Sequence, residues 1–475
     1  MGNRILRIDN VRKTVNYFKK NGLAGTFYAA AERVQEEKRA DYRYQLPDAQ
    51  TLAGQRQETA DFPYLFSIVT PAYETKETHL REMIASVQAQ SYPRWELLIM
   101  DAGAGGEVER TVRQVIHETG DLRIRYNRLS GNRGIAENTN AGIALAGGDY
   151  IALLDHDDFI TPDALYEMAC CVHRGRQQGR PPVLLYSDED KYDEGAQTFV
   201  FPNKKKKFNL DLILSNNYIC HFMAVEAGVM KRLKLRGAYD GAQDYDLVLR
   251  VVDSLWPEGA VAPDQTRICH IPRVLYHWRS HRDSTALNTG SKTYAYEAGR
   301  RALADFCAGR GIRAEVEHSL HLGFYRIAYE PDLLGARRDA GMTGGRILDG
   351  KGRIFAGGYD EAGRCLFEGL PARFTGGSTH LAALRQDCAA VDIRCMRMRE
   401  ELQPLFSEIT GLPYREKTRR VKAGHGMKAR EIRIADVSGL TCDEAGYRKL
   451  GMALGEAVRR EGYLVVWDPG MTIQL

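Results

Sequence analysis

The stretch Tyr150-Ile-Ala-Leu-Leu-Asp-His-Asp-Asp-Phe159 decides the fold class. Tyr150 to Leu154 is a short apolar run bounded by turn signals, which reads as a buried strand. Gly147-Gly148 interrupt the chain just before it, and Thr161-Pro162 open a helix just after it. Asp155, Asp157 and Asp158 therefore stand at the C-terminal end of a strand, the edge where ligands bind in open α/β sheets. Carboxylates this close repel one another unless a cation or a proton intervenes. Hard oxygen ligands with room left for phosphate suit Mg²⁺ or Mn²⁺. The same triplet also reads as an acidic turn in which Asp158 or Thr161 caps the following helix.

Working outward, Leu65-Phe-Ser-Ile-Val-Thr70 is a second apolar strand, ending at Pro71-Ala-Tyr73. Leu80, Met83, Ile84 and Val87 then recur at helical spacing. Trp95 to Met100 is a strand that ends at Asp101, Arg110 to Thr119 a helix, Ile124 to Leu129 a strand and Gly134 to Ala146 a helix. Strands separated by helices of this length predict a doubly wound, mostly parallel sheet with Asp101 and Asp155 on one rim. Downstream, Val183 to Tyr186 is a strand that runs into Ser187-Asp-Glu-Asp-Lys191, and Ile219 to Val225 is strand-like. Gln243-Asp-Tyr-Asp246 enters a helix over Leu247 to Val252. Ile271 to Tyr276 is a strand delivering His277-Trp-Arg279, with His281 and Ser284-Thr285 beyond it, and Lys292 to Gly309 is a helix. The run Lys204 to Lys207 reads as a solvated loop.

Composition narrows the class. The 475 residues, 44% hydrophobic and 27% charged, fit two or three soluble globular domains. A net charge of +4 without an aromatic-interleaved basic stripe gives no footprint for nucleic acid. No window approaches an unbroken membrane span, and the start has no apolar signal core. Nine cysteines without a Cys-x-x-Cys pair imply neither a zinc site nor a disulfide framework, which reads as a reduced, cytoplasmic protein. Ile5, Ile8, Val11 and Val15 with interleaved Arg and Lys form a basic amphipathic stripe that packs on its own protein or lies on an anionic membrane. Gln45 to Phe62 reads as a linker.

Together, Val69-Thr-Pro-Ala-Tyr73, Ser91-Tyr-Pro-Arg-Trp-Glu-Leu97, Asn132-Arg-Gly-Ile135, Asn140, Ala152-Leu-Leu-Asp-His-Asp-Asp158, Tyr186-Ser-Asp-Glu-Asp-Lys191, Gln243 to Arg250 and Val274 to Arg279 resemble the family 2 glycosyltransferases of GT-A fold. The resemblance is to bacterial enzymes that build O-antigen-like or rhamnan-like surface polysaccharides, and it runs from about Phe66 to Gly311. It implies an inverting transfer from a nucleotide-diphosphate sugar, UDP- or dTDP-linked, to a hydroxyl of a lipid-linked glycan at the cytoplasmic membrane face. It places the donor at Pro71, Tyr73, Asp101, Arg133, Asn140, Asp155 and Arg279, the divalent metal at Asp155, Asp157 and His277, and the base at Asp244. Asp188, Asp190 and Gln243 would face the acceptor. Asp246 is a rival base on another side of the helix, and His277 and Trp278 also read as strand-end core residues.

One departure stands out: where the family shows two adjacent acids after the second strand, this chain has Asp101-Ala102 followed by Gly-Ala-Gly-Gly. That motivates a rival reading, a glycan- or partner-binding scaffold derived from the fold. A nucleotidyltransferase would also need a metal at a strand rim, but no Gly-rich phosphate loop with a lysine is present. In the last third, Gly345 to Phe355 predicts a hairpin around Asp349-Gly350. Ala389 to Leu405 and Glu444 to Glu461 predict helices, and Tyr463 to Trp467 a strand. These pieces resemble the acceptor half of a second module that lacks the Asp-x-Asp and base motifs. The expected division is an N-terminal helical segment and linker (1–62), a GT-A domain (63–324) and a smaller, non-catalytic α+β domain (325–475).

Overall fold

The computed structural model describes residues 28, 30–32, 42–280, 293–421 and 430–474. The basic stripe before residue 20, His281 and Ser284-Thr285 lie outside the described residues. Helix α1 (Ala49–Glu58) opens on an Asp48 side chain that accepts the Thr51 N–H at 2.7 Å. The linker expected there is thus a capped helix, and its buried Gln55 accepts from the Ser91 hydroxyl at 2.7 Å. Its polar face carries no apolar stripe, so periodicity had nothing to detect.

The alternation then runs β1 (Phe66–Ala72), α2 (Glu77–Gln88), β2 (Trp95–Asp101), α3 (Glu107–Thr119), β3 (Ile124–Arg128), α4 (Ile135–Leu145), β4 (Tyr150–Leu153) and β5 (Phe159–Ile160). It continues through α5 (Ala164–Gln177), β6 (Leu184–Asp193), β7 (Thr198–Asn203), α6 (Leu210–Ile213), β8 (Met223–Glu226), α7 (Ala227–Leu233), α8 (Gln243–Ser254), β9 (Ile268–Ser280) and α9 (Thr293–Gly309). One nine-stranded sheet forms in the order β3-β2-β1-β4-β8-β6-β9-β5, with β7 beside β6. Strands β1 to β4 pair in parallel, as their buried, near-continuous apolar character requires. β8 is antiparallel to both β4 and β6, and the long β9 returns parallel to β6.

Period-two alternation sorts the strand residues between two cores. Phe66, Ile68, Leu97 and Ile99 pack with α2, α3 and α5 on one face. Val69, Leu98 and Met100 pack with α4 and α8 on the other, so the sheet is doubly wound. Helix α4 sits so close that a Cβ at Gly142 would come within 2.5 Å of Val69 Cγ1. A disulfide joins Cys171 on α5 to Cys269 on β9, correcting the reading of an all-reduced chain. The lysine run is also not wholly solvated, since Lys205 is buried.

Beyond a β10 (Ala314–His318)–β11 (Tyr325–Tyr329) hairpin and a short α10 (Leu333–Ala336), a second sheet begins. In chain order come β12 (Ala340–Leu348), β13 (Ile354–Ala356), β14 (Gly358–Tyr359), β15 (Gln386–Asp387), β16 (Ala390–Val391) and β17 (Met396–Met398), of which β14 and β16 pair with each other in a small sheet of their own. Then come α11 (Gln403–Thr410), the ribbon β18 (Glu416–Val421) and β19 (Arg430–Ala435), α12 (Glu444–Arg460) and β20 (Leu464–Gln474). The hairpin around Asp349 forms as read, Leu348 pairing with Ile354. The helix expected over 389–405 does not. Met396 and Met398 are buried either side of the half-buried Arg397, which is strand alternation, and the helix begins only at Gln403.

The second sheet repeats the pairing of β6. The first half of β6 lies antiparallel to β8, the second half to β7, and its other edge runs parallel to β9. Likewise β12 pairs antiparallel with β17 and then β13, and runs parallel to β20 on its other edge. Among the described residues, no set of parallel strands joins β12 as β1 to β4 join the sheet of β6.

The two sheets meet at a fully buried Arg337. Its Nη1 donates to Asp211 of α6 at 3.1 Å and its Nε to Asp339 at 2.7 Å. Asp387 on β15 accepts the Leu210 N–H at 2.7 Å, and burial and the Asp211 charge push its carboxyl well above the usual range. Removing the one cation leaves buried acids uncompensated, so Arg337→Ala should cost about 3–5 kcal/mol in urea unfolding. An unchanged midpoint would mean that this cluster does not hold the sheets together.

Candidate active site

Strand β4 ends at Leu153 and aims the Asp155–Asp158 turn at the sheet rim, where the Asp158 N–H closes onto the Asp155 carbonyl at 3.3 Å. The Asp155 side chain is 48% exposed, and Asp157 is half-buried. Desolvation by the cleft walls, followed by the charge of Asp157 and then that of Asp244, pushes the Asp155 carboxyl above the carboxylate range against His221 and His156. Asp244 in the first turn of α8 thus shares the cleft with the Asp155 pair. It accepts from Asn217 Nδ2 at 2.7 Å and from the Cys220 thiol at 3.2 Å. The rival base Asp246 is withdrawn: it is buried and clamped by Arg236 and Arg250.

Adjacent acids on β6 separate by strand alternation. Asp188 accepts from His270 Nε2 and the Lys205 N–H, both at 2.8 Å, and Asp190 bonds to His277 Nδ1 at 2.6 Å and the Tyr42 hydroxyl at 2.7 Å. Both are buried struts, which removes them as acceptor contacts. Glu189 between them turns the other way. It meets Lys205 Nζ and His221 Nδ1, each at 3.2 Å. Burial would raise its carboxyl, but Lys205 and His221 outweigh that and hold it at about 2. His221 sits 4.0 Å from Asp155 and stacks on Tyr276 at 4.7 Å. Burial opposes its charging, yet Cys220 and Glu189 push its imidazole well above the usual range.

His277 therefore is not the imidazole beside the paired acids. It is buried against Tyr44, Phe159 and Phe199, on the face of β9 opposite Tyr276. Arg279 is likewise turned inward, its guanidinium over Phe159 and ion-paired to Glu82 at 2.6 Å, away from any diphosphate. Sequence reasoning missed His221, Glu189 and Lys205. The only signal was the period-two alternation through Asp188-Glu189-Asp190, which becomes usable once the strand register is known.

At the end of β1, Pro71 is half-buried and Tyr73 is 46% exposed. Arg133 is exposed on the loop before α4. Gly134 there takes φ +92, and Asp240 crosses from before α8 to accept the Ala136 N–H at 3.2 Å. Asn140 is no pocket residue: both ends of its amide bond the Leu235 backbone, at 2.9 and 2.8 Å. Asp101 is fully buried and accepts from Tyr126, Arg128 and the Gly103 N–H, so it braces the glycine loop instead of meeting a base. Gln243 accepts the Gly241 N–H at 2.7 Å and shapes the entry to α8.

The donor set fits a hard divalent ion: Asp155 and Asp157 stand two residues apart on one rim turn, both partly open to solvent. Among the described residues no three His, Cys, Asp or Glu side chains converge to hold a metal alone. Substrate oxygens and water would complete the shell, as is usual for Mg²⁺ beside phosphate. Nor is any helix among the described residues long and apolar enough to cross a membrane.

A parallel nucleotide-side half, an antiparallel return through β8 and acids at the rim between them define a GT-A fold. Residues 67–233 match the model of glycosyl transferase family 2. It is 36% identical over 247 residues to an uncharacterized protein of Sinorhizobium fredii, covering 51% of this chain and 25% of that one. It is 33% identical over 268 residues to the O-antigen biosynthesis protein RfbC of Myxococcus xanthus, covering 56% and 20%. The chain thus spans a quarter or less of the length of these two relatives. S. aureus TarS in complex with UDP overlaps loosely, with a TM-score of 0.37 at 16% identity over 51% of this chain and 65% of that one.

Burial, opposed by His221 and reinforced by the Asp244 charge, pushes the Cys220 thiol up to about 12. At pH 8 its alkylation should be at least tenfold slower than that of the exposed Cys442, and faster in Asp244→Asn. Equal rates for the two thiols, followed by mass spectrometry, would contradict this placement of Asp244.

Proposed function

We propose that this protein is an inverting, metal-dependent glycosyltransferase that moves a hexosyl or deoxyhexosyl group from a nucleotide-diphosphate sugar to a hydroxyl of a growing cell-surface glycan. The observation that carries the reading is the run of contacts from Asp244 through the Cys220 thiol at 3.2 Å and His221 at 3.3 Å to Asp155 at 4.0 Å, with Asp246 removed into ion pairs. Asp244 takes the proton of the acceptor hydroxyl as its oxygen attacks the anomeric carbon, and the nucleoside diphosphate leaves from the opposite face. One base opposite one leaving group inverts that carbon. Asp155 and Asp157 would hold Mg²⁺ or Mn²⁺, which supplies Lewis-acid neutralisation of the leaving diphosphate. His221, hydrogen-bonded to Glu189, lies 4.0 Å from Asp155 and would add positive charge there when protonated. Tyr73 and Pro71 flank the base of a UDP- or dTDP-sugar, with Arg133 at the loop nearby.

The acceptor is read as lipid-linked, which puts the enzyme at the cytoplasmic membrane face as a peripheral protein. The O-antigen relative supports that setting. The second sheet is read as a non-transferring acceptor half. At the start of α12 stands Glu444, where α8 carries Asp244, and Arg394 forks onto it at 2.7 Å twice. A carboxylate so paired is a poor base. The scaffold reading keeps one observation in its favour, the full occupation of Asp101 by protein donors.

Asp244→Asn separates the two. Sugar transfer should fall 10²–10⁴-fold while nucleotide binding stays within about twofold. Transfer at the wild-type rate would remove Asp244 as base, and its absence from the wild-type protein favours the scaffold.

A further inference from the structure

Asp158, third of the rim acids, points inward and is 1% exposed. Its Oδ1 accepts the Arg279 N–H at 2.7 Å and its Oδ2 accepts the Tyr276 hydroxyl, both donors belonging to β9. The Arg279 side chain then reaches the same turn: its Nε donates to the Asp157 carbonyl at 2.6 Å. Immediately after the turn, Phe159 and Ile160 pair with His277 and Tyr276, and the Thr161 N–H donates to the Leu275 carbonyl at 3.0 Å. The guanidinium is itself set by Phe159 and Tyr192 at 5.1 and 5.5 Å, by Glu82 of α2 at 2.6 Å and by Glu194 after β6 at 3.8 Å. Four separate elements thus converge on one buried cation, and its Nε donates to the carbonyl between two rim acids.

We propose that Arg279 and Tyr276, acting through Asp158, are positioning residues that latch the Asp155–Asp157 turn in the geometry that receives the metal and the donor diphosphate. The inference rests on the reading of Asp155 and Asp157 as the metal-holding pair. Without the latch, β4 ends in a turn whose carboxylates repel one another and whose backbone can swing outward; with it, both acids are held on one side of the rim. The same Tyr276 ring stacks on His221, so the imidazole facing Asp155 is registered to the same strand. Groups that orient metal ligands without touching the metal typically change affinity by 10–100-fold when removed.

The test is Mn²⁺ alone titrated into the full chain and followed by the free-ion electron paramagnetic resonance signal, with thermal melting of each variant alongside. Arg279→Ala should weaken Mn²⁺ about 10–100-fold, and Arg279→Lys, which keeps the charge but not the Nε–H, should recover only part of that. Tyr276→Phe removes a single hydroxyl and should weaken Mn²⁺ several-fold, which reads the latch even if Arg279→Ala fails to fold. A lowered melting temperature with Mn²⁺ affinity unchanged in Tyr276→Phe and Arg279→Lys would overturn the latch and reduce these residues to packing. Wild-type protein that is folded but takes no Mn²⁺ would instead overturn the metal reading, and the latch with it.

Discussion

Three carboxylates within four residues at the end of a buried strand cannot all be left to repel, and the chain resolves that constraint by giving each a different environment. Asp158 is swallowed and bonded from β9. Asp155 stays at the rim beside His221. Asp157 has its backbone pinned from behind while its side chain remains at the rim. Much of the nearby structure serves this division. β9 supplies the donors, β6 supplies Glu189 to hydrogen-bond His221, and Lys205 neutralises Glu189 from the run after β7.

The strand alternation that built the parallel half was legible because each strand is a buried apolar run of ordinary length and each helix carries a stripe. Tyr150 to Leu153, Phe66 to Ala72 and Trp95 to Asp101 all lie where the pattern puts them. The candidate site was legible only as placement, where a strand end alone suffices, as for the rim position of Asp155 and Asp157. It failed where facing matters. Asp188, Glu189 and Asp190 are equivalent as letters, and only the register against β9 shows that the middle one faces His221. His277 and Arg279 drew attention as chemistry-bearing residues, yet the side of β9 they occupy is core. Asp101 and Asn140 failed for another reason: their partners, Arg128 and the Leu235 backbone, come from segments whose proximity is a tertiary fact.

The second sheet keeps the pairing of β6 without its acids. β12 repeats the three pairings of β6, yet where β6 carries Asp188-Glu189-Asp190, β12 carries Gly345, Arg346 and Ile347. Its edge strand β17 faces the β18–β19 ribbon through Arg397, which donates to Glu416 at 3.1 Å. In the first sheet the corresponding strand β8 pairs with β4. A protein interior tolerates such loss because pairing and packing, unlike catalysis, need only shape and apolar character.

The central claim is a metal-dependent nucleotide site at the Asp155–Asp157 rim, and it is tested most directly by calorimetric titration of UDP, dTDP and GDP into the folded protein with Mn²⁺ and with chelator. Binding of one nucleotide that requires Mn²⁺ and is lost in Asp157→Ala is the predicted result. Folded protein that takes up none of the three, or that binds one equally well in chelator, would contradict it.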